Sequence, residues 1–196
     1  MQIHEQIILS AIREQRVARP GVASTRLATM QTELSSDVDV LNYALTLEHL
    51  EAAFYRLTND FDLGVDPFGN SINDWLTLAG EQEAAHVVTL TEVITQLGGE
   101  PVAEATYDFG VADSQGFLAT AATLENVGVA AYDGAGQFLQ SQDLLTAAGS
   151  IVAVEARHAA YLNLLTGTSP FPAATETPMT PDEVLAAAGG FIVASS

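Results

Sequence analysis

Two short motifs in the chain combine a carboxylate and an imidazole at helical spacing. Glu83 and His86 form one Glu-x-x-His motif, and Glu155 and His158 form the other. Residues three positions apart on a helix share a face, with Cβ atoms about 5–6 Å apart. Each pair can therefore offer two ligands to one metal ion, and the two pairs together predict a site for two metal ions.

Two further glutamates complete this set. In helical bundles that bind two metal ions through carboxylates, each Glu-x-x-His pair is matched by one Glu from another helix. Glu48 and Glu125 are the candidates, because each follows a Leu and precedes a Tyr by seven positions, Tyr55 and Tyr132 respectively. The order Leu-Glu-x6-Tyr, then Glu-x-x-His, therefore occurs twice. This repeat predicts an internal duplication with pseudo-two-fold symmetry.

The residues around these six candidate ligands have weaker predicted roles. We expect the hydroxyls of Tyr55 and Tyr132 to bond to carboxylates that bind metal, with a redox role as the alternative. Glu51 lies one turn from Glu48, and we expect it at the surface or in support of the site rather than as a seventh ligand. His49 points about 100° away from Glu48 around the helix and should lie off the site.

A group of four buried glutamates requires a compensating cation. In an apolar interior, burial and mutual repulsion raise the pKa of each carboxyl group, so the four cannot all stay ionised alone. Two divalent metal ions would neutralise them. Carboxylates combined with two imidazoles suit iron first and manganese next, and zinc also accepts such ligands.

Start and stop signals predict four long helices that hold the six candidates. Capping residues, glycines and prolines place these helices at about 35–58, 71–98, 113–140 and 141–167. The link of about 15 residues between the second and third helices can cross a whole bundle. Glu48 and Glu83 are 11 and 12 residues from their shared turn, so they meet at one height along the bundle.

The predicted fold is therefore all-α, an up-down four-helix bundle with a long crossover between helices 2 and 3. Short helices are expected on either side of the bundle, at about 3–16 and 181–188. We expect three regions: an N-terminal accessory helix and linker over 1–34, the bundle over 35–168, and a C-terminal tail with a short helix over 169–196.

Composition excludes several classes of function. The 196 residues include 25 acidic and 6 basic ones, for a formal charge of −19, so the chain cannot build the basic face that nucleic acid requires. No apolar run reaches the roughly 18 residues of a membrane span. Cysteine is absent, which excludes cysteine-ligated iron–sulfur and zinc-ribbon sites. The acidity fits a solvated anionic surface, attraction of cations to a metal site, or both.

No secretory signal is visible at the N-terminus, so we expect a cytoplasmic protein, or an exported one if a signal was removed before this numbering begins.

The stretch from Asp39 to Tyr55, DVLNYALTLEHLEAAFY, is similar to the opening signature of the ferritin-like domain proteins that include desiccation-related proteins. The likeness extends from about Asp37 to around Phe191. It implies a ferritin-like bundle. The six candidate positions also match those of bacterioferritin and rubrerythrin, which implies two irons that react with O2 or peroxide.

This resemblance has departures. Gly128 stands where rubrerythrins carry an extra Glu, and the chain has no cysteine-rich rubredoxin module. Ala84 stands where bacterioferritin carries its haem-ligating Met, so no haem is expected.

Two functions follow as hypotheses. The first is an iron or manganese oxidoreductase, either ferroxidase-like or peroxide-consuming. The alternative is a non-catalytic, stress- or desiccation-related bundle that binds metal only to hold its fold. Iron storage in a large shell is a weaker third hypothesis, and a small homo-oligomer fits the chain better.

Overall fold

A computed structural model describes residues 34–193. The accessory helix predicted at 3–16 lies outside these residues. Over the described range the chain forms α1 (Asp37–Tyr55), α2 (Ile72–Gln96), α3 (Ser114–Gly136), α4 (Gln142–Leu165) and the short α5 (Pro181–Ala188). Two isolated bridges, Val65 with Ser71 and Tyr107 with Ile192, are the β pairing found in this range. The predicted all-α class is confirmed.

Each helix begins at a side chain that accepts a hydrogen bond from the backbone N–H three residues later. These capping residues are Ser36, Ser71, Asp113, Ser141 and Thr180. Such a cap satisfies one of the backbone donors that the first helical turn leaves unpaired. The helix starts therefore follow from local sequence and fall within about two residues of the prediction.

The ends of two helices differ from the prediction. α1 ends at Tyr55 rather than near Thr58, because the chain enters a 3-10 turn over Thr58–Asp60. α3 ends at Gly136 rather than near Gln140, whose N–H instead donates to Asp37 Oδ1 at 2.6 Å.

The four long helices form two antiparallel pairs joined by the predicted crossover. α1 packs along α2, and α3 packs along α4. α1 also runs antiparallel to α3, because Gln140 contacts Asp37 at one end and Phe117 stacks on Phe54 at the other, with ring centroids 4.7 Å apart. Consequently α2 and α3 run in the same direction, and the segment 97–113 must return along the bundle. No helix within 34–193 is long and apolar enough to cross a membrane.

The C-terminal segment packs against α3 and the crossover. Met179 N–H donates to Ala130 O at 3.0 Å, and the side chain of Val184 on α5 is buried. Farther along, Val193 N–H donates to Thr106 O at 2.8 Å. The backbone at Met179 approaches α3 closely because Gly134 on α3 has no side chain. A Cβ at Gly134 would overlap the Met179 carbonyl oxygen.

Gly134→Ala should therefore destabilise the protein by about 1–3 kcal/mol, the usual cost of overpacking. Gly149→Ala is the matched control, because Gly149 is exposed on α4 and a Cβ there meets nothing within 4 Å. That control should gain about 0.5–1 kcal/mol through helix propensity. Urea unfolding of the two variants measures both effects, and equal shifts would contradict the close packing at Gly134.

Candidate metal centre

The six candidate ligands meet in one layer in the middle of the bundle. α1 and α3 each contribute one glutamate, and α2 and α4 each contribute a Glu-x-x-His pair. The four carboxylates have no exposed surface, and the two imidazoles are nearly buried. The residues are Glu48, Glu83, His86, Glu125, Glu155 and His158. The sequence placed them at one height, and the structure brings them together there.

These residues form two overlapping groups of four. One group consists of Glu48, Glu83, His86 and Glu155, and the other of Glu83, Glu125, Glu155 and His158. Within each group, one ligand atom from every residue lies within 4.8 Å of all the others. Glu83 and Glu155 belong to both groups. The arrangement could therefore hold two metal ions that share these two carboxylates.

Both imidazoles turn Nδ1 toward the carboxylates. His86 Nδ1 lies 3.1 Å from an oxygen of each carboxylate in its own group. His158 Nδ1 lies 2.9 Å from Glu83 Oε1 and 3.4 Å from Glu125 Oε1. The two histidines thus take equivalent positions at opposite ends of the cluster, as the repeated motif requires.

The two tyrosines connect the halves of the repeat. Tyr55 on α1 donates its hydroxyl hydrogen bond to Glu125 Oε1 on α3, and Tyr132 on α3 donates to Glu48 Oε1 on α1. Both tyrosines are buried. The expected hydroxyl-to-carboxylate bonds are therefore present. Each bond crosses to the other half, which fixes the two helices against each other at the level of the site.

A fifth buried carboxylate, Glu51, lies beside the cluster. Only 2% of Glu51 is exposed, so of its two expected positions the structure favours the one beside the site over the one at the surface. A Cβ at Gly128 would lie 2.8 Å from Glu51 Oε1 and 3.4 Å from Glu155 Oε2. Gly128 therefore leaves the space that the Glu51 carboxylate fills.

Glu51 and Gly128 occupy equivalent positions in the repeat, three residues after Glu48 and Glu125. The first half reads Leu-Glu-x-x-Glu and the second Leu-Glu-x-x-Gly. A comparison of the two halves could therefore have shown from the sequence that a glycine in one half stands where the other half has Glu51.

The outer nitrogen of one histidine is held by a neighbouring amide. His158 Nε2 lies 2.7 Å from Gln82 Oε1, a contact that the sequence did not predict. His49, in contrast, lies off the site as expected: its Nε2 is 3.2 Å from the carbonyl oxygen of Val102 in the crossover.

Burial and close contact strongly shift the pKa values of this cluster. Burial raises the pKa of Glu48 to about 7 and also raises those of three other carboxyl groups, Glu51, Glu125 and Glu155. Burial alone would lower the pKa of the imidazoles, but close contact with the carboxylates raises it to about 12 for His86 and about 10 for His158. At Glu83 burial would raise the pKa, yet the two imidazoles in contact with this carboxylate lower it to about 2. Two imidazolium groups therefore supply the positive charge of the metal-free site.

The contacts within the cluster fit metal ions better than they fit internal hydrogen bonds. Buried oxygens of Glu83, Glu125 and Glu155 have no hydrogen-bond partner among the described residues. His158 Nδ1 and Glu83 Oε1 are close enough for an ion pair, yet neither is in hydrogen-bond geometry. In each group of four, one ligand atom from every residue lies within 4.8 Å of the others, an arrangement that suits a shared metal ion better than paired hydrogen bonds. Carboxylate oxygen and imidazole nitrogen are also the donors that iron, manganese and zinc accept.

Comparison with known families agrees with this architecture. A model of the ferritin-like domain matches residues 36–168 of the chain, a range that contains the four long helices and all six clustered residues. A comparison with curated proteins finds no match. The chain belongs to the ferritin-like domain family.

Proposed function

We propose that this protein binds two metal ions through the six clustered residues and acts as an oxidoreductase, either ferroxidase-like or peroxide-consuming. The observation that carries the proposal is the sharing of Glu83 and Glu155 by the two groups of four. Shared carboxylates hold two metal ions close enough to act on one oxidant molecule, at separations of about 3.5–4 Å in two-metal sites.

Each residue has a distinct role in this proposal. Glu48 and His86 would hold one ion, Glu125 and His158 would hold the other, and Glu83 and Glu155 would be ligands of both. Iron suits this donor set best and manganese next. When bound, such a pair supplies electrons to O2 or peroxide. The chain itself supplies the positions of the ligands and a buried surrounding for the four carboxylates.

Groups around the candidate ligands orient them and hold protons. Tyr55 and Tyr132 each hold one oxygen of Glu125 and Glu48, which leaves the second oxygen of each carboxylate for a metal. Glu51 Oε2 is buried without a hydrogen-bond partner among the described residues. This oxygen is available to hold a proton beside the bridging carboxylate of Glu155.

A non-catalytic, stress-related bundle is the second candidate. The complete burial of four glutamates favours it equally, because metal ions that neutralise them would stabilise the folded state without any turnover. The two candidates agree on metal binding and differ in turnover.

The proposed site should bind two metal ions per chain. Anaerobic titration of the metal-free protein with Co(II), followed by visible absorption, should reach two ions per chain. Glu83→Gln removes a ligand of both ions, so affinity should fall by more than the roughly 10–100-fold that loss of an outer-shell partner costs. Glu81→Gln is the matched control because Glu81 is exposed on the same helix. Unchanged binding by Glu83→Gln would contradict the site.

Consumption of Fe(II) separates the two candidate functions. The protein should consume Fe(II) under O2, or under peroxide in place of O2, faster than buffer does, and Glu155→Gln should abolish the difference. Rapid-quench assay of remaining Fe(II) measures this rate, with Glu81→Gln as the control. If metal ions raise the melting temperature but no Fe(II) is consumed above background, the non-catalytic candidate holds.

The stability of the metal-free protein should depend on pH. The folded pKa values of Glu48, His86 and His158 exceed those of the unfolded chain, about 4.3 for Glu and 6.5 for His. The metal-free folded state therefore binds extra protons, and each one costs about 1.4 kcal/mol of stability per pH unit as pH rises between the two pKa values. From pH 5 to 8 the metal-free protein should lose stability, through the four carboxyl groups whose pKa is raised, Glu48, Glu51, Glu125 and Glu155, and above about 6.5 also through the two histidines.

Urea unfolding at each pH measures this slope. Glu48→Gln removes one of the four carboxyl groups and should reduce the slope below pH 7, whereas Glu81→Gln should leave it unchanged. A metal-free stability that rises with pH over this range would contradict the assignment of protons to the cluster.

A further inference from the structure

The two ends of the metal centre have most of their contacts in common. The two shared glutamates belong to both groups of four. Each of the other two glutamates accepts a hydrogen bond from a tyrosine of the opposite half of the repeat. Both imidazoles turn Nδ1 toward the carboxylates. These contacts treat the two ends alike, so a difference between two bound ions has to come from the residues around them.

One imidazole is held on its outer side by an amide. His158 Nε2 lies 2.7 Å from Gln82 Oε1. Because Nδ1 of His158 faces the carboxylates and is the nitrogen that could bind a metal ion, the ring proton stays on Nε2 and is donated to Gln82 Oε1. Such a hydrogen bond fixes the tautomer and orientation of a metal-binding histidine and makes its other nitrogen a stronger ligand. Gln82 is therefore a positioning residue for His158.

The other imidazole has no such support. His86 Nδ1 contacts three carboxylates, but no residue within 34–193 forms a hydrogen bond with His86 Nε2. Gln82 directly precedes the glutamate of one Glu-x-x-His motif, and Val154 stands at the equivalent position of the other. Val154 and His86 both line a largely apolar cavity of about 700 Å³ between the four long helices. The repeat thus provides an amide at one end of the site and an apolar side chain at the other.

A second difference between the halves does not favour either end. Glu51 stands where the other half has Gly128, and the nearest clustered carboxylate to that glycine belongs to Glu155. Glu155 is a member of both groups of four. Glu51 therefore acts beside a carboxylate that both ions would share, and Gln82 remains the contact that distinguishes the two ends.

We propose that Gln82 makes the two metal ions unequal. The ion on the His158 side binds first and more tightly, and the ion on the His86 side is the one that exchanges. This inference rests on the proposed two-metal function and deepens it. Loss of an outer-shell partner costs about 10–100-fold in metal affinity, so the two dissociation constants should differ by about that factor.

Titration of the full metal-free chain with Co(II) under argon, followed by calorimetry and visible absorption, measures the two dissociation constants. The unmodified chain should bind its two ions in two separate steps. Gln82→Val copies the Val154 of the other half, and it should weaken the tighter step by about 10–100-fold and bring the two constants together. Glu81→Gln, at the exposed neighbouring position, is the matched control and should change neither constant.

Further variants separate the hydrogen bond from packing. Gln82→Glu keeps an acceptor oxygen and should retain the tighter step, whereas Gln82→Leu has a similar size without an acceptor and should lose it. Val154→Gln supplies the missing amide on α4 and should tighten the weaker step. Circular dichroism verifies that each variant folds. Equal affinity of Gln82→Glu and Gln82→Leu would show that Gln82 acts through packing and would overturn its positioning role.

Histidine nitrogen resonances show which end fills first. The chain contains four histidines, and His86→Ala and His158→Ala assign the two signals of the site in protein with isotope-labelled histidine. After addition of one equivalent of Zn(II), the Nδ1 signal of His158 should move to its metal-bound position while that of His86 stays at its metal-free position. The Nε2–H signal of His158 should be sharp in the unmodified chain and broaden in Gln82→Val, because exchange with water is no longer slowed.

The outcomes separate this inference from the proposed function. Two ions of equal affinity, a first ion on the His86 side, or unchanged constants in Gln82→Val would each overturn the inequality and leave the two-metal site in place. A chain that binds neither Co(II) nor Zn(II) would reject the proposed function, and the inequality with it.

Discussion

The burial of acidic groups in the middle of the bundle is the constraint on which the rest of the structure depends. Four glutamates have no exposed surface and a fifth, Glu51, is nearly as buried. Ionised carboxylates in such surroundings require compensating charge, and protonated ones require hydrogen-bond partners. His86 and His158 supply compensating charge in the absence of metal, because the carboxylates beside them raise the pKa of both imidazoles. The helices place these acidic groups at one height, the hydrogen bonds from Tyr55 and Tyr132 hold two of them, and Gly128 leaves space for the fifth.

The duplicated architecture explains why the two ends of the cluster are alike, and its exceptions explain why they differ. The bonds from Tyr55 and Tyr132 are related by the repeat and tie each half to the other. Gln82 has no polar counterpart on α4, where Val154 stands. At the His158 end Gln82 contacts the imidazole, whereas His86 lines an apolar cavity.

How much the sequence could predict depends on the range of each interaction. Helix starts were predicted because capping is decided within four residues, and the Glu83–His86 pairing was predicted because three-residue spacing fixes a shared face. The sequence left open whether Glu51 lies at the surface or beside the site, because its burial depends on the absence of a side chain at Gly128 on another helix. The cavity could not be predicted either, since its volume depends on the spacing of four helices that small residues such as Ala148 permit but do not determine.

The choice of cation in the cluster is itself informative about function. Two of the six arginines lie within residues 34–193, and both are at the surface, where Arg56 pairs with Glu104. An arginine among the buried glutamates would compensate them permanently, because its guanidinium does not lose its proton in proteins. Histidine differs, since it can release its proton and become a neutral ligand. The side chains that neutralise the carboxylates without metal are thus those that can bind metal once deprotonated. A buried ion-pair network does not require a cation that can lose its proton, whereas a site that binds and releases metal ions does.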